Sequence, residues 1–210
     1  MTGGQCTTDR SVLCSRIAPE KLAVLRTCLY THSREIAVTH EELQLYDDWL
    51  ARRRPLLEAK QWTEAMRDVP RLTDLQPALP QPLSRPLDQA AVALVTSAGI
   101  TQPGQPPMDG PNIEGDYTIR LLDIDTPTSE LRIWHTHFDL APALEDINVI
   151  YPIDRLKELA ADGTIGGVAN PAVSFMGYFS NVFRIRDEVA PAVVDAVHKS
   201  GADAALLVPV

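Results

Sequence analysis

The chain has 210 residues and a formal charge of -9, with 19 Lys and Arg against 28 Asp and Glu. That balance leaves no basic face for a nucleic-acid or anionic-membrane partner, while the length suits one main domain plus an appendage with a substantial core. No apolar run reaches the roughly 18 residues that span a bilayer, and Met1 to Asp9 is polar with no signal-peptide core, so the expected compartment is the cytoplasm.

The three cysteines, Cys6, Cys14 and Cys28, fit no zinc or CxxC spacing and read as incidental or packed thiols. From about residue 17 to 70 the pattern is helical. Pro19 suits a first helical position. Thr39 and Glu42 form a capping box for a second helix carrying Leu43, Tyr46 and Leu50 as far as Arg54-Pro55. Pro55 is read as opening a third helix through Trp62 and Met66, closed before Pro70. His32 and His40 read as surface or capping residues, and Arg52-Arg53-Arg54 as a helix-end cluster. Residues 1–75 are therefore expected to be a helical segment. Residues 76–90, with Pro77, Pro80, Pro82 and Pro86, are expected to be an extended linker, and residues 91–210 an α/β domain.

In that domain Ala91-Val92-Ala93-Leu94-Val95 reads as a strand covered on both faces, turned by Thr96-Ser97-Ala98-Gly99. Tyr117 to Leu122, Leu131 to His135 and Ile147 to Tyr151 are expected to add strands. Pro152 leads into an amphipathic helix with Ile153, Leu156 and Leu159, stopped by Gly163. Gly166-Gly167 and Ser174-Phe175-Met176-Gly177-Tyr178 read as loops. A helix through Val189, Val193 and Val197 to Gly201 then precedes a terminal run, Ala202 to Val210, that reads as a buried strand. The expected fold is an open, mainly parallel Rossmann-like α/β sheet with an N-terminal helical appendage. In such sheets ligands gather at the carboxyl ends of the strands.

Two polar constellations carry candidate chemistry. His135-Thr136-His137-Phe138-Asp139, on a strand, would set both imidazoles on one face, as in His-x-His metal sites. A third ligand is wanting, with only His198 and Asp125 as candidates, so metal binding stands beside metal-free proton transfer and a structural hydrogen-bonded pair. Asp125, Thr126 and the residues around Pro127 read either as a capped turn or as a grip for a substrate amine. Thr96, Ser97 and Gly99 end the first strand but lack the glycine pattern of a dinucleotide loop.

Taken in order, Pro86-Leu87, Val92 to Gly99, Gly115-Asp116-Tyr117, Asp125 to Thr128, His135 to Asp139, Asp146 to Val149, Ser174 to Tyr178 and Leu206 to Val210 resemble the glycine/sarcosine/betaine/D-proline reductase selenoprotein B family. The resemblance covers roughly residues 82 to 210, and the helical segment carries no motif that matches. It implies reductive C–N cleavage: a selenolate or thiolate attacks the carbon α to a carboxylate and displaces the amine, and a second thiol releases the selenium for reduction by a thioredoxin-like partner. It also implies that selenocysteine, or cysteine in selenium-free relatives, directly follows the strand ending at Val210, and that a pyruvoyl group on a partner subunit holds the substrate amine in some members.

Because UGA is ordinarily read as stop, the sequence is expected to be a conceptual translation cut at a selenocysteine codon; the competing expectation is a short form without the redox residue. As written the chain holds no nucleophile at that place and is expected to be inactive as a reductase. Loss of a covering helix would leave apolar surface beside Leu206 and Val208. From residue chemistry, His135 or His137 is the candidate proton donor with Asp139 orienting it; Thr96, Ser97, Gly99, Asp125, Thr126, Ser174 and Gly177 are candidate substrate contacts, and no metal is assigned. The rival readings are a non-catalytic binding or assembly subunit and a metal-dependent hydrolase built on His135 and His137.

Overall fold

A computed structural model describes residues 38–73 and 81–210. The expected helix after Pro19, the three cysteines, His32, Pro77 and Pro80 lie outside the described residues.

Helix α1 (His40–Glu58) starts at the capping box read from the sequence: Thr39 Oγ1 accepts the Glu42 N–H (3.1 Å), and Glu42 Oε2 accepts the Thr39 N–H (2.9 Å). It does not end at Pro55. A proline inside a helix costs about 3 kcal/mol, but two residues on Leu57 is fully buried, and burying such a side chain contributes roughly 1.5–3 kcal/mol. Only a short helix, α2 (Trp62–Ala65), and one 3-10 turn (Met66–Asp68) follow before Pro70. Tyr46, Trp49, Leu50, Leu57 and Ala65 form a core with Phe183, flanked by Ile113 and Val182, so the helical segment packs on the α/β unit rather than hanging from it. Arg186 pairs with Glu42 at 2.7 Å and the Tyr46 hydroxyl meets Ser180 Oγ at 2.7 Å across the same seam.

The sheet is built around β1 (Ala91–Thr96). One edge of β1 pairs along its length with β7 (Ala204–Val208), from Val92↔Ala204 to Thr96↔Val208. The other edge pairs first with β5 (Gly167–Val168) and then with β6 (Ala172–Phe175), all parallel. β3 (Ile119–Leu122) lies antiparallel outside β6. The sheet is open and mostly parallel, as the sequence predicts. A separate ribbon joins β2 (Ile100–Thr101) to β4 (Arg132–Ile133).

Several expected elements change. Ile147 to Tyr151 is not a strand: Asp146 Oδ1 accepts the Asn148 N–H (2.9 Å) and starts a 3-10 turn, Ile147–Val149. Leu131 to His135 contributes only Arg132–Ile133, and to the ribbon rather than the main sheet. Gly167 and Ser174, read as loop residues, lie in β5 and β6.

Two layers of side chains sandwich the sheet. On one face Val92, Leu94, Leu122 and Ala204 pack with Ile153 and Leu156 of α4 (Ile153–Ala161), with Leu206 and Val208 against them. On the other face Val95 and Val173 are covered by Val193, Ala196 and Val197 of α5 (Ala190–Lys199). Leu207 and Leu121 continue that second row through the pairs Val95↔Leu207 and Leu121↔Val173, and are 46% and 44% exposed. The apolar exposure expected beside Leu206 and Val208 thus falls on Leu207, because alternation along β7 turns those two neighbours into the core. Among the described residues no helix is long and apolar enough to cross a membrane.

Candidate active site at the carboxyl edge of the sheet

Parallel strands β1, β6 and β7 end on one edge, where backbone and small side chains interlock. Thr96 is fully buried, its hydroxyl donating to the Ile150 carbonyl (2.7 Å) and accepting the Ala98 N–H (3.2 Å). Ser174, also fully buried, accepts the Ile100 N–H (2.7 Å). These two hydroxyls hold the edge together. Gly99 turns the chain with φ +65°, and a Cβ there would stand 3.0 Å from Met176 Cε and 3.3 Å from the His135 nitrogen, so both backbone sign and space call for glycine. Its carbonyl accepts the Trp134 N–H (2.9 Å), which places His135 beside the end of β1.

Ser97 and Gly177 meet the segment leaving β7. Ser97 N–H donates to the Val208 carbonyl (3.1 Å), and Ser97 Oγ accepts the Val210 N–H (2.8 Å). A Cβ on Gly177 would come within 2.9 Å of both the Ser97 and the Val210 carbonyl oxygens. Gly177 therefore keeps open the space through which the chain passes after β7.

The histidines follow β4 on a turn, not on a strand, yet the turn brings their rings to a centroid separation of 5.7 Å, edge to face. His137 N–H donates to His135 Nδ1 (3.1 Å), so a neutral His135 carries its proton on Nε2, and that atom is buried without a partner. Burial, with the charge of His137 second, pushes the His135 pKa down from 6.5 to about 4. His137 is half-buried and is also lowered, by burial. Its ring stacks on Tyr178 at 3.7 Å, and its Nδ1 lies 3.3 Å from Thr136 Oγ1, leaving Nε2 as the nitrogen for other partners. Asp139 orients neither imidazole; its Oδ1 accepts the Ala141 N–H (3.0 Å) at the start of α3 (Ala141–Glu145).

The Asp125–Thr126 turn is tied elsewhere. Asp125 pairs with Lys157 of α4 (3.1 Å), Thr126 Oγ1 donates to Gln102 Oε1 (3.2 Å), and the Thr126 N–H closes the turn on the Asp123 carbonyl (3.0 Å). Ser97, Gly99, Ser174, Gly177 and His135 are brought together; Asp125 and Thr126 keep their own partners. Among the described residues no group of three or more His, Cys, Asp or Glu is placed to hold a metal ion.

Sequence reasoning missed Trp62. From α2 it packs edge-on against His137 (4.8 Å) and Tyr178 (5.5 Å), and with Thr63, Met66, Thr136, His137 and Tyr178 it lines an open cleft of about 600 Å³. Helical spacing gave no sign of it, because Trp62 looks like any apolar helix residue until the α/β unit is set beside it.

The family model for glycine/sarcosine/betaine reductase selenoprotein B matches residues 57–209. The chain belongs to that family. The match starts upstream of the expected limit near residue 82 and takes in Trp62. Among curated relatives, the D-proline reductase subunit gamma of Acetoanaerobium sticklandii is 29% identical over 126 residues, 60% of this chain and 51% of the relative. The glycine reductase complex component B subunit gamma of Carboxydothermus hydrogenoformans is 30% identical over 132 residues, 61% of this chain and 30% of the relative. The sarcosine reductase complex component B subunit beta of Peptoclostridium acidaminophilum is 32% identical over 111 residues, 49% of this chain and 24% of the relative. The chain thus spans about half or less of the length of these curated relatives. No solved structure matches the chain.

Proposed function

We propose that the chain is part of a reductase subunit that cleaves the C–N bond of a small substrate of the glycine, sarcosine, betaine or D-proline kind. One observation carries this reading: in a sheet matched by the selenoprotein B family, the segment leaving β7 is gripped by Ser97 and spaced by Gly177 at the same edge as the two histidines. A selenocysteine or cysteine following Val210 would supply the nucleophile there and, with a second thiol and a thioredoxin-like reductant, the two electrons the cleavage needs. The bare edge of Gly177 fits that placement, since any side chain would press on the Val210 carbonyl. A pyruvoyl group would sit on a partner subunit, and no residue of this chain is assigned to it.

The chain's own part is to position and to move a proton. Ser97 fixes the backbone after β7. Where the substrate nitrogen is bound as the neutral amine, His137 donates through Nε2 the proton that this nitrogen takes up as the C–N bond breaks; the quaternary nitrogen of betaine leaves as neutral trimethylamine without one. The lowered pKa of His137 keeps it neutral at rest, and a bound substrate carboxylate raises it again, because a nearby anion favours the imidazolium. His135 stays neutral and holds the His137 backbone through Nδ1.

The test is the coding sequence past codon 210, followed by assay of the extended protein and the 210-residue form for dithiol-dependent amine release from glycine, sarcosine and betaine and for dithiol-dependent ring opening of D-proline. Turnover by the extended form alone, abolished in His137→Ala for substrates bound as the neutral amine, is expected. A frame that closes without a selenocysteine or cysteine overturns the reading and leaves a non-catalytic subunit of the same fold; equal turnover by both forms also overturns it, because the nucleophile would then lie within the 210 residues.

A further inference from the structure

We infer that Trp62 is a positioning residue for His137, so that the helical segment before the sheet forms one wall of the active site. The inference rests on the reading of His137 as the proton-handling group.

The imidazole of His137 touches two aromatic rings from different parts of the chain. Tyr178 lies flat against it at 3.7 Å with planes 9° apart, and Trp62 meets it edge-on at 4.8 Å and 76°. Trp62 and Tyr178 also touch each other, at 5.5 Å and 70°, so the three rings form a closed set. Each outer ring is anchored. The Tyr178 hydroxyl donates to the Ile113 carbonyl (2.9 Å). Trp62 sits on a helix whose Ala65 is fully buried and whose leading residue, Gln61, donates its N–H to the Leu56 carbonyl of α1 (2.9 Å). The His137 backbone is held by His135 Nδ1. What is left free is rotation of the ring, and the two aromatic neighbours restrict it.

A role as core filler fits less well. Trp62 is half-buried, whereas Trp49, the tryptophan that does fill the helical core, is 1% exposed. The indole packs against the helical core and also meets a histidine 75 positions away, lining the cleft on which that histidine opens. Restricting the ring matters because a misplaced or flipped imidazole presents the wrong nitrogen, and errors of about 1 Å in a catalytic group cost about a hundredfold in rate. The titratable groups around His137 are His135 and Asp139 on its own segment and Tyr178 from the loop after β6. Burial pushes the Tyr178 phenol up to about 12, so it stays neutral across the working range. From α2 the neighbours are Trp62 and Thr63, neither of which titrates.

The test uses Trp62→Ala and Trp62→Phe in the full chain, with His137 titrated by NMR and amine release measured on the extended protein. In Trp62→Ala the His137 pKa moves up towards 6.5 as burial is relieved, kcat falls tenfold or more, and KM changes less than threefold. Trp62→Phe keeps an aromatic edge and restores most of both. If Trp62→Ala lowers the melting temperature but leaves the His137 titration and kcat unchanged, the residue only packs and the inference fails. Should Trp62→Ala not fold, Trp62→Leu and Tyr178→Leu replace it, with the same two readouts required to move. If the extended wild type turns over no substrate, the proposed function fails and the active-site role inferred for Trp62 falls with it; unchanged kcat and titration in Trp62→Ala of an active wild type overturns the inference alone.

Discussion

The seam between the helical segment and the sheet should carry a measurable acid-sensitive stability, and Glu42→Gln is the change that exposes it. Glu42 takes both Arg186 Nη1 (2.7 Å) and Nη2 (3.0 Å), and also the Thr39 N–H (2.9 Å). Arg186, with Thr39 adding and burial opposing, holds the carboxyl down from 4.5 to about 2. A folded pKa below the unfolded one means stability that is complete well above pH 4.5 and lost as pH falls towards 2. At about 1.36 kcal/mol per tenfold the ceiling is about 3 kcal/mol. The Glu42 side chain is 25% exposed and Arg186 keeps Asp187 as a second partner, so about 1–2 kcal/mol is the realistic share.

Urea denaturation of wild type and Glu42→Gln at pH 7 should therefore differ by about 1–2 kcal/mol, or about 3–7 °C in melting temperature for a chain of this size. By pH 3 more than about half of that gap should have closed. A cycle with Arg186→Met assigns the loss to the pair. A difference below about 0.5 kcal/mol at pH 7, or a gap just as large at pH 3, would refute the assignment of this ion pair as the clamp.

Two further outcomes follow from the site. His135 has its pKa lowered to about 4 by burial, so between pH 6.5 and 4 the unfolded chain binds a proton that the folded one refuses. Stability should fall by up to about 3 kcal/mol across that window and fall less steeply in His135→Gln, with the lowered His137 supplying the remainder; parallel slopes of urea midpoint against pH would count against it. Gly177→Ala puts a methyl 2.9 Å from two backbone oxygens that no rotamer can move aside. It should cost about 1–3 kcal/mol and speed exchange of the Val210 amide held by Ser97, and an unchanged exchange rate would mean the segment after β7 is not confined there.

The elements legible in the sequence were those whose own run of residues already states how they are buried or capped. β1 is apolar because both faces are covered, and α4 shows its buried stripe of Ile153 and Leu156. The Thr39 box is a local bond between residues three apart, and the structure holds it unchanged. Ile147 to Tyr151 failed because alternating apolar residues also suit a 3-10 turn once Asp146 caps it. β5 was hidden by Gly167 and β6 by Ser174, whose hydroxyl is used inside the sheet on the Ile100 N–H. In the candidate site, the convergence on the carboxyl edge was legible as a family signature. The ring set of Trp62, His137 and Tyr178 was not, because it joins three segments that share no spacing.

The shared core of α1 and Phe183 has a consequence for synthesis. Phe183 leaves the ribosome roughly 110 residues after the helical segment is complete, which at about 5–20 residues per second is a delay of about 5–20 s. Through that interval Trp49 and Leu50 are covered, among the described residues, only by neighbours in their own segment such as Ala65, Met66 and Val69, and helices in proteins owe most of their stability to tertiary packing. The aromatic and leucine side chains of the segment thus stay short of their final packing partner until the sheet is made, which ties completion of the helical core to completion of the α/β unit.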